Sequence, residues 1–74
     1  MDDMILFRVV INNLIKNKEY LLINYKSDIG EYLGTTAIIS NMDDIKIMTN
    51  TGIEIPLKDI VRVGEHTAPG YQVN

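Results

Sequence analysis

The chain has 74 residues, 46% of them hydrophobic, with no Cys, one His and a formal net charge of −3. This length allows one small domain; the missing Cys excludes disulfides and thiolate metal sites, and a single His excludes a His-rich zinc site. The acidic balance disfavours a sequence-indifferent nucleic-acid binder, which gains its affinity from clustered Lys and Arg. We expect a single domain over residues 1–64.

Two interpretations are open for the first stretch, residues 1–18. Four apolar side chains fall at helical spacing: Phe7, Val10, Ile11 and Leu14. Asp2 or Asp3 could cap such a helix and complement its dipole. The β-branched residues within 4–17 fit a strand instead, so a strand stays open as the alternative. We predict the helix, which would lie over one open end or face of a small sheet.

The same stretch contains an apolar run, Met4–Ile11, that is interrupted by Arg8. This run is too short to span a bilayer. Asp2 and Asp3 precede it, where a signal peptide would carry positive charge. We therefore expect a cytoplasmic protein with no membrane partner.

Alternating residues predict the first two strands of a sheet. Glu19–Lys26 carries apolar residues on both faces, so one face could be an interface rather than core. The loop that follows ends at Gly30, which we expect at positive φ, and the second strand runs over Tyr32–Ser40. Gly34 inside that strand predicts a bend or a bulge.

The clearest pattern lies in Ile45–Val63, where two alternating runs flank Asn50-Thr51-Gly52. Alternation on either side of a Gly-containing polar break is typical of a β-hairpin with one buried face. Pro56 cannot donate a ladder hydrogen bond, so it marks an edge strand or the end of one. A tight turn at 57–60 and a last strand, Val61–Val63, complete the pattern.

Residues 65–74 contain Gly, Pro and polar side chains without periodicity, which predicts a flexible C-terminal tail. The order of elements before them describes a mainly β fold: a small, bent antiparallel SH3-like barrel of five strands with an N-terminal helix. Leu21–Lys26, the following loop and Glu31–Gly34 resemble the first half of an Sm motif. Gly52–Val61 is similar to its second half, which implies the Sm-like version of the SH3-like barrel.

The segment Gly52–Val61 also resembles the end of YolD-like proteins of Gram-positive bacteria and their phages. Ile23–Lys26 and Leu33–Thr36 match two further strands of that family. The resemblance, together with the rich use of Ile, Asn and Lys, implies a bacterial or phage origin.

Two other families resemble the chain in part. The Rho inhibitor Rof is similar in length, in acidity and in a spacing of Gly, Leu and Ile that Gly52, Leu57 and Ile60 meet. Hfq-like proteins share the helix-first order, but their second motif carries Lys-His where this chain has Lys58-Asp59. That departure removes the most diagnostic RNA-site residue of the family.

No residue pattern predicts catalysis. His66 lies in the expected tail without an orienting partner, and Asp43-Asp44 fits a solvated turn better than a cation site. The sequence contains neither a nucleophile elbow nor a Gly-rich phosphate loop followed by Lys. We therefore expect no enzyme, no cofactor, no metal site and no small-molecule substrate.

Six residues are candidates for a partner or nucleic-acid surface: Tyr20, Tyr25, Lys26, Tyr32, Lys58 and Arg62. Aromatic rings beside a Lys could stack on bases, although packing of two or three of these rings in the core or at its rim is the favoured explanation. Our hypothesis is a non-enzymatic interaction module, an adaptor, inhibitor or regulatory subunit that contacts a protein partner or a second copy. The alternative is an Sm-like RNA-binding oligomer.

Overall fold

The computed structural model describes residues 3–71. The chain forms one helix, α1 (Asp3–Lys16), followed by the strands β1 (Tyr20–Lys26), β2 (Tyr32–Met42), β3 (Lys46–Thr49), β4 (Glu54–Pro56), β5 (Ile60–Val63) and β6 (His66–Thr67). The strands pair antiparallel in one open sheet of order β4-β3-β2-β1-β5-β6. One 3₁₀ turn, Leu57–Asp59, joins β4 to β5, and another, Pro69–Tyr71, follows β6. The expected mainly β fold with an N-terminal helix is confirmed.

Helix α1 settles the first stretch in favour of the helical interpretation. Phe7, Ile11 and Leu14 are buried, as their spacing predicts, and the strand alternative is wrong. Lys18 follows the last helical residue, Lys16, and has a φ of 52° in the left-handed region. The N–H groups of Lys18 and Glu19 donate to the carbonyl oxygens of Ile15 (3.1 Å) and Leu14 (3.2 Å). This is the hydrogen-bond pattern of a Schellman motif.

The core lies between α1 and the inner face of the sheet. Its buried apolar members come from nearly every element: Phe7, Ile11, Leu14, Ile23, Ile39, Ile47, Ile55, Leu57, Ile60, Val63 and Ala68. In β2 and β3 buried residues recur at every second position, whereas Ile60 and Val63 of β5 lie three apart, where the pairing of β5 with β1 is irregular. One face of the sheet is therefore buried and the other is exposed.

A bend or a bulge was predicted at Gly34, and the bulge is wrong. β1 and β2 pair without a shift over their whole length, and Gly34 lies opposite Asn24. The register shifts elsewhere, between Ile39 and Asn41 in the pairing of β2 with β3 and between Asn24 and Tyr25 in the pairing of β1 with β5. Gly34 has another local role, because a Cβ there would lie 3.2 Å from the Asn24 side-chain nitrogen. The predicted positive φ of Gly30 is confirmed, at 87°.

The predicted number of five strands is wrong, because β6 adds a sixth. We expected a flexible tail from residue 65, but the part described, residues 65–71, turns back onto the sheet. Gly64, at a φ of 59°, allows the tight reversal, and the N–H of Ala68 donates to the carbonyl oxygen of Val61 at 2.8 Å. Ala68 is only 3% exposed. A two-residue strand is too short to show periodicity, and residues 72–74 lie outside the described part.

Candidate functional site

The six predicted contact residues do not form one site. Tyr20, Lys26, Tyr32 and Arg62 share the face of the sheet turned away from the core. Tyr25 points the other way, like Ile23, and packs half-buried against the core. Lys58 belongs to the 3₁₀ turn after β4, on another part of the surface. The interpretation of Tyr25 as core packing is therefore the one that the structure favours.

The exposed side of β1, β2 and β5 forms one continuous surface, the outer face. The register places nine residues there: Tyr20, Leu22, Asn24, Lys26, Tyr32, Gly34, Thr36, Ile38 and Arg62. Tyr20 and Tyr32 are 70% and 66% exposed, and the Lys26 ammonium lies 5.9 Å from the centre of the Tyr32 ring. That distance suits a cation–π contact. The outer face thus combines two aromatic rings with two cations, and none of its nine residues is acidic.

A second concave feature, the α1–β3 groove, has a volume of about 640 Å³. Met4 and Arg8 of α1 line one side, residues 44–46 line another, and residues 56–58 complete it. Leu57 is buried at its base, whereas the Ile45 side chain is 70% exposed. Sequence reasoning found only Lys58 of this groove, because the other residues are distant along the chain and carry no shared motif.

Arg8 ties two walls of the groove together. Its Nη1 and Nη2 groups donate to the carbonyl oxygens of Asp44 (3.1 Å) and Asp43 (3.2 Å). The third wall is held by the N–H of Leu57, which donates to the carbonyl oxygen of Ile45 at 2.8 Å. These bonds connect the three walls of the groove.

The turn before β3 is held by the Asp43 carboxylate. One of its oxygens accepts hydrogen bonds from the N–H groups of Ile45 and Lys46, both at 2.9 Å. The hydrogen bond from the Ile45 N–H is the largest cause of a lowered pKa of Asp43. Desolvation, the second cause, opposes it, and the Lys46 N–H and the charges of Lys46 and Arg8 lower the pKa further. The Lys46 ammonium lies 3.0 Å from the Glu54 carboxylate, and this contact raises the pKa of Lys46.

A smaller cavity of about 350 Å³ lies between α1 and β6. Leu6, Phe7 and Val10 line it together with Asp3 and residues 65–67. Within residues 3–71 no group of three or more acidic or His side chains is placed to hold a metal ion. In the described part of the chain, His66 therefore has no neighbouring side chains that could complete a metal site.

We compared the chain with protein-family models, curated proteins and solved structures, and none of the three comparisons finds a match. Among residues 3–71, no helix is long and apolar enough to cross a membrane.

Proposed function

We propose that this protein is a non-enzymatic interaction module, an adaptor, inhibitor or regulatory subunit that acts by contact with another protein. The observation that carries the proposal is the outer face. Tyr20, Leu22 and Tyr32 are large, exposed side chains on the paired strands β1 and β2. Tyr and Arg are enriched at protein interfaces because they combine apolar area with a polar end. With Lys26 and Arg62 beside them, the fitting partner is a protein with an acidic surface.

We propose further that the sheet belongs to the Sm-like version of the SH3-like barrel. The first five strands follow the order β4-β3-β2-β1-β5, and a 3₁₀ turn separates β4 from β5. A helix precedes β1, as in the Sm and Hfq-like resemblance. The similarity to YolD-like and Rof-like proteins is a proposal at the same level, and it suggests a bacterial or phage regulatory protein of the cytoplasm.

An Sm-like RNA-binding oligomer is the second candidate. The Lys26–Tyr32 contact favours it, because an aromatic ring beside a cation suits a nucleic-acid base next to its phosphate. Assembly of an Sm ring, however, pairs the fourth strand of one subunit with the fifth strand of the next. The outer edge of β5 is already paired with β6 in the same chain.

The open edge of β4 is also poorly suited to pairing with a strand of another subunit. Hydrogen bonds from Thr49 to Ile53 and from Leu57 to Ile45 alternate along the hairpin. The positions between them, Glu54 and Pro56, therefore turn their backbone polar groups to the open edge. Pro56 has no N–H, so this edge is short of a donor, as its position in the sequence predicts. Both edges count against ring assembly and favour the interaction module.

The first test is the mass of the pure protein in solution, measured by light scattering coupled to size exclusion near neutral pH. The interaction module predicts a monomer with no submicromolar binding to oligouridylate or oligoadenylate in physiological salt. A hexamer or heptamer that binds either RNA would overturn the proposal and establish the alternative.

The positive test uses capture of partners by immobilised protein. Tyr20→Ser combined with Tyr32→Ser removes the aromatic part of the outer face, and Ile29→Ser is the matched control on an exposed loop residue. A partner retained by the wild type and by Ile29→Ser, but lost with the double variant, is the expected result. Capture that does not depend on Tyr20 and Tyr32 would contradict docking at the outer face.

A further inference from the structure

The α1–β3 groove differs from the outer face in shape and in lining, and it lies elsewhere on the molecule. Its volume of about 640 Å³ falls within the range of about 300–1,000 Å³ that small-molecule sites have. Met4, Ile45 and Leu57 give it an apolar lining. Ligand sites typically combine such a lining with a few fixed polar groups.

The groove is preformed by contacts that do not involve a ligand. Ile45 shows this most clearly, because its N–H donates to the Asp43 carboxylate and its carbonyl oxygen accepts from Leu57. Its side chain is nevertheless 70% exposed. Because the backbone of Ile45 is already held by these two hydrogen bonds, a ligand that covers its side chain orders only that side chain. The cost in conformational entropy is therefore small.

The charges around the groove point to a ligand with a single anionic group. Three cations line it, but Arg8 is bound to two carbonyl oxygens and lies 3.8 Å from Asp44, while Lys46 is paired with Glu54. Lys58 is the third, and within residues 3–71 it makes no ion pair. One ammonium group at the rim is therefore available to a ligand.

We propose that the α1–β3 groove binds a medium-chain fatty acid, with the carboxylate at Lys58 and the acyl chain along Ile45 and Leu57. A peptide fits less well, because its N–H and C=O groups would lie unpaired against an apolar lining. The adjoining edge residue, Pro56, has no N–H with which to pair such a peptide. A nucleotide would bring several negative charges and polar ring atoms to a lining with one available cation.

The test titrates dodecanoate, below its aggregation concentration, into the full chain labelled on the Met methyl groups and the backbone amides. We expect shifts of the Met4 methyl and of the amides of Ile45, Leu57 and Lys58. Dodecanol, the neutral probe of equal chain length, should shift the signals of Met4 and Ile45 as well, because it makes the same apolar contacts. A Lys58 amide shift that is the same with both probes would overturn the role of Lys58.

Two variants test the contact of the ligand's carboxylate and the contact of its acyl chain separately. Lys58→Ala should weaken dodecanoate about twofold to fivefold, as expected for one partly exposed ion pair, and should leave dodecanol unchanged. Ile45→Ser should weaken both probes about tenfold by removing apolar contact. Ile29→Ser, at a side chain that is 75% exposed on another loop, is the matched control and should change neither affinity.

Three results would overturn the proposal as a whole: dodecanoate shifts confined to the outer face, affinities that Ile45→Ser leaves unchanged, or groove signals that move with oligouridylate but not with dodecanoate. None of these results depends on whether a protein partner docks at the outer face.

Discussion

The Arg8 guanidinium donates a hydrogen bond to the backbone carbonyl oxygen of Asp44 at 3.1 Å, across 36 residues of sequence. A second donor of the same group binds the carbonyl oxygen of Asp43 at 3.2 Å. The planar fork of Arg matches two neighbouring acceptors, which a Lys ammonium on a flexible stem matches poorly. Arg8 thereby joins the helix to the turn between β2 and β3.

Replacing Arg8 by Ala should therefore lower the free energy of unfolding by about 1 kcal/mol, since net hydrogen-bond contributions are of this size. Arg8→Lys should recover only part of the loss. Arg62→Ala is the control: the Arg62 Nε group binds a carbonyl oxygen only two residues away, at Gly64, so we expect a change within about 0.5 kcal/mol. Urea denaturation measures all three, and an equal cost at both positions would contradict the linking role of Arg8.

The Asp43 turn predicts a dependence of stability on pH. The pKa of Asp43 is lowered from its usual 3.8, first by the hydrogen bond from Ile45. A group with a lowered folded-state pKa stabilises the fold above the unfolded-state value, and this stabilisation is lost as the pH falls through the folded-state pKa. Stability should therefore decline below a pH of about 4.

Asp43→Asn should remove this part of the acid dependence, because the amide oxygen can still accept a hydrogen bond but carries no charge. Proton titrations followed at the Ile45 and Lys46 amides check it. Asp44→Asn is the matched control, since the Asp44 carboxylate does not accept from these amides, and the two signals should titrate as in the wild type. Persistence of their titration in Asp43→Asn would contradict the assignment.

Thr49 is a buried polar residue in the core-facing row of β3. Its hydroxyl oxygen accepts the N–H of Ile53 at 3.1 Å and lies 2.8 Å from the Thr51 hydroxyl. Thr49→Val should cost about 1–2 kcal/mol, because it leaves the Ile53 N–H without this acceptor. Thr51→Val removes only the bond between the hydroxyls and should cost less. Equal losses of unfolding free energy would show that the Ile53 bond is unimportant.

Lys18 offers a stabilising substitution. It closes α1 at a φ of 52°, a conformation that Gly adopts without the steric cost of a Cβ. Lys18→Gly should raise the free energy of unfolding by about 0.5–1 kcal/mol. Lys16→Gly, inside the last helical turn, should lower it by about 1 kcal/mol. Thermal unfolding of the two variants distinguishes the positions, and a fall of the melting temperature in Lys18→Gly would contradict the prediction.

The spacing of apolar residues along the sequence was sufficient to predict most of the secondary structure. The helical spacing of Phe7, Ile11 and Leu14 found α1, and the alternation around Gly52 found the β3–β4 hairpin with Pro56 at an edge. Gly34 was misleading, because a glycine in a strand marks several features, and here Asn24 lies opposite it in an unbroken ladder. β6 was missed because His66 and Thr67 are too few to show a period.

The residues of the candidate site were harder to predict from the sequence than the helix and the strands. The sequence by itself determined that Lys26 and Tyr32 would meet, because a short loop between two antiparallel strands brings its flanking residues together. Tertiary structure alone decided that Arg8, Ile45 and Lys58 surround one groove, because each comes from a different element. Periodicity describes which face of an element is apolar, whereas the packing of α1, β3 and the 3₁₀ turn around a shared core decides which residues of different elements become neighbours.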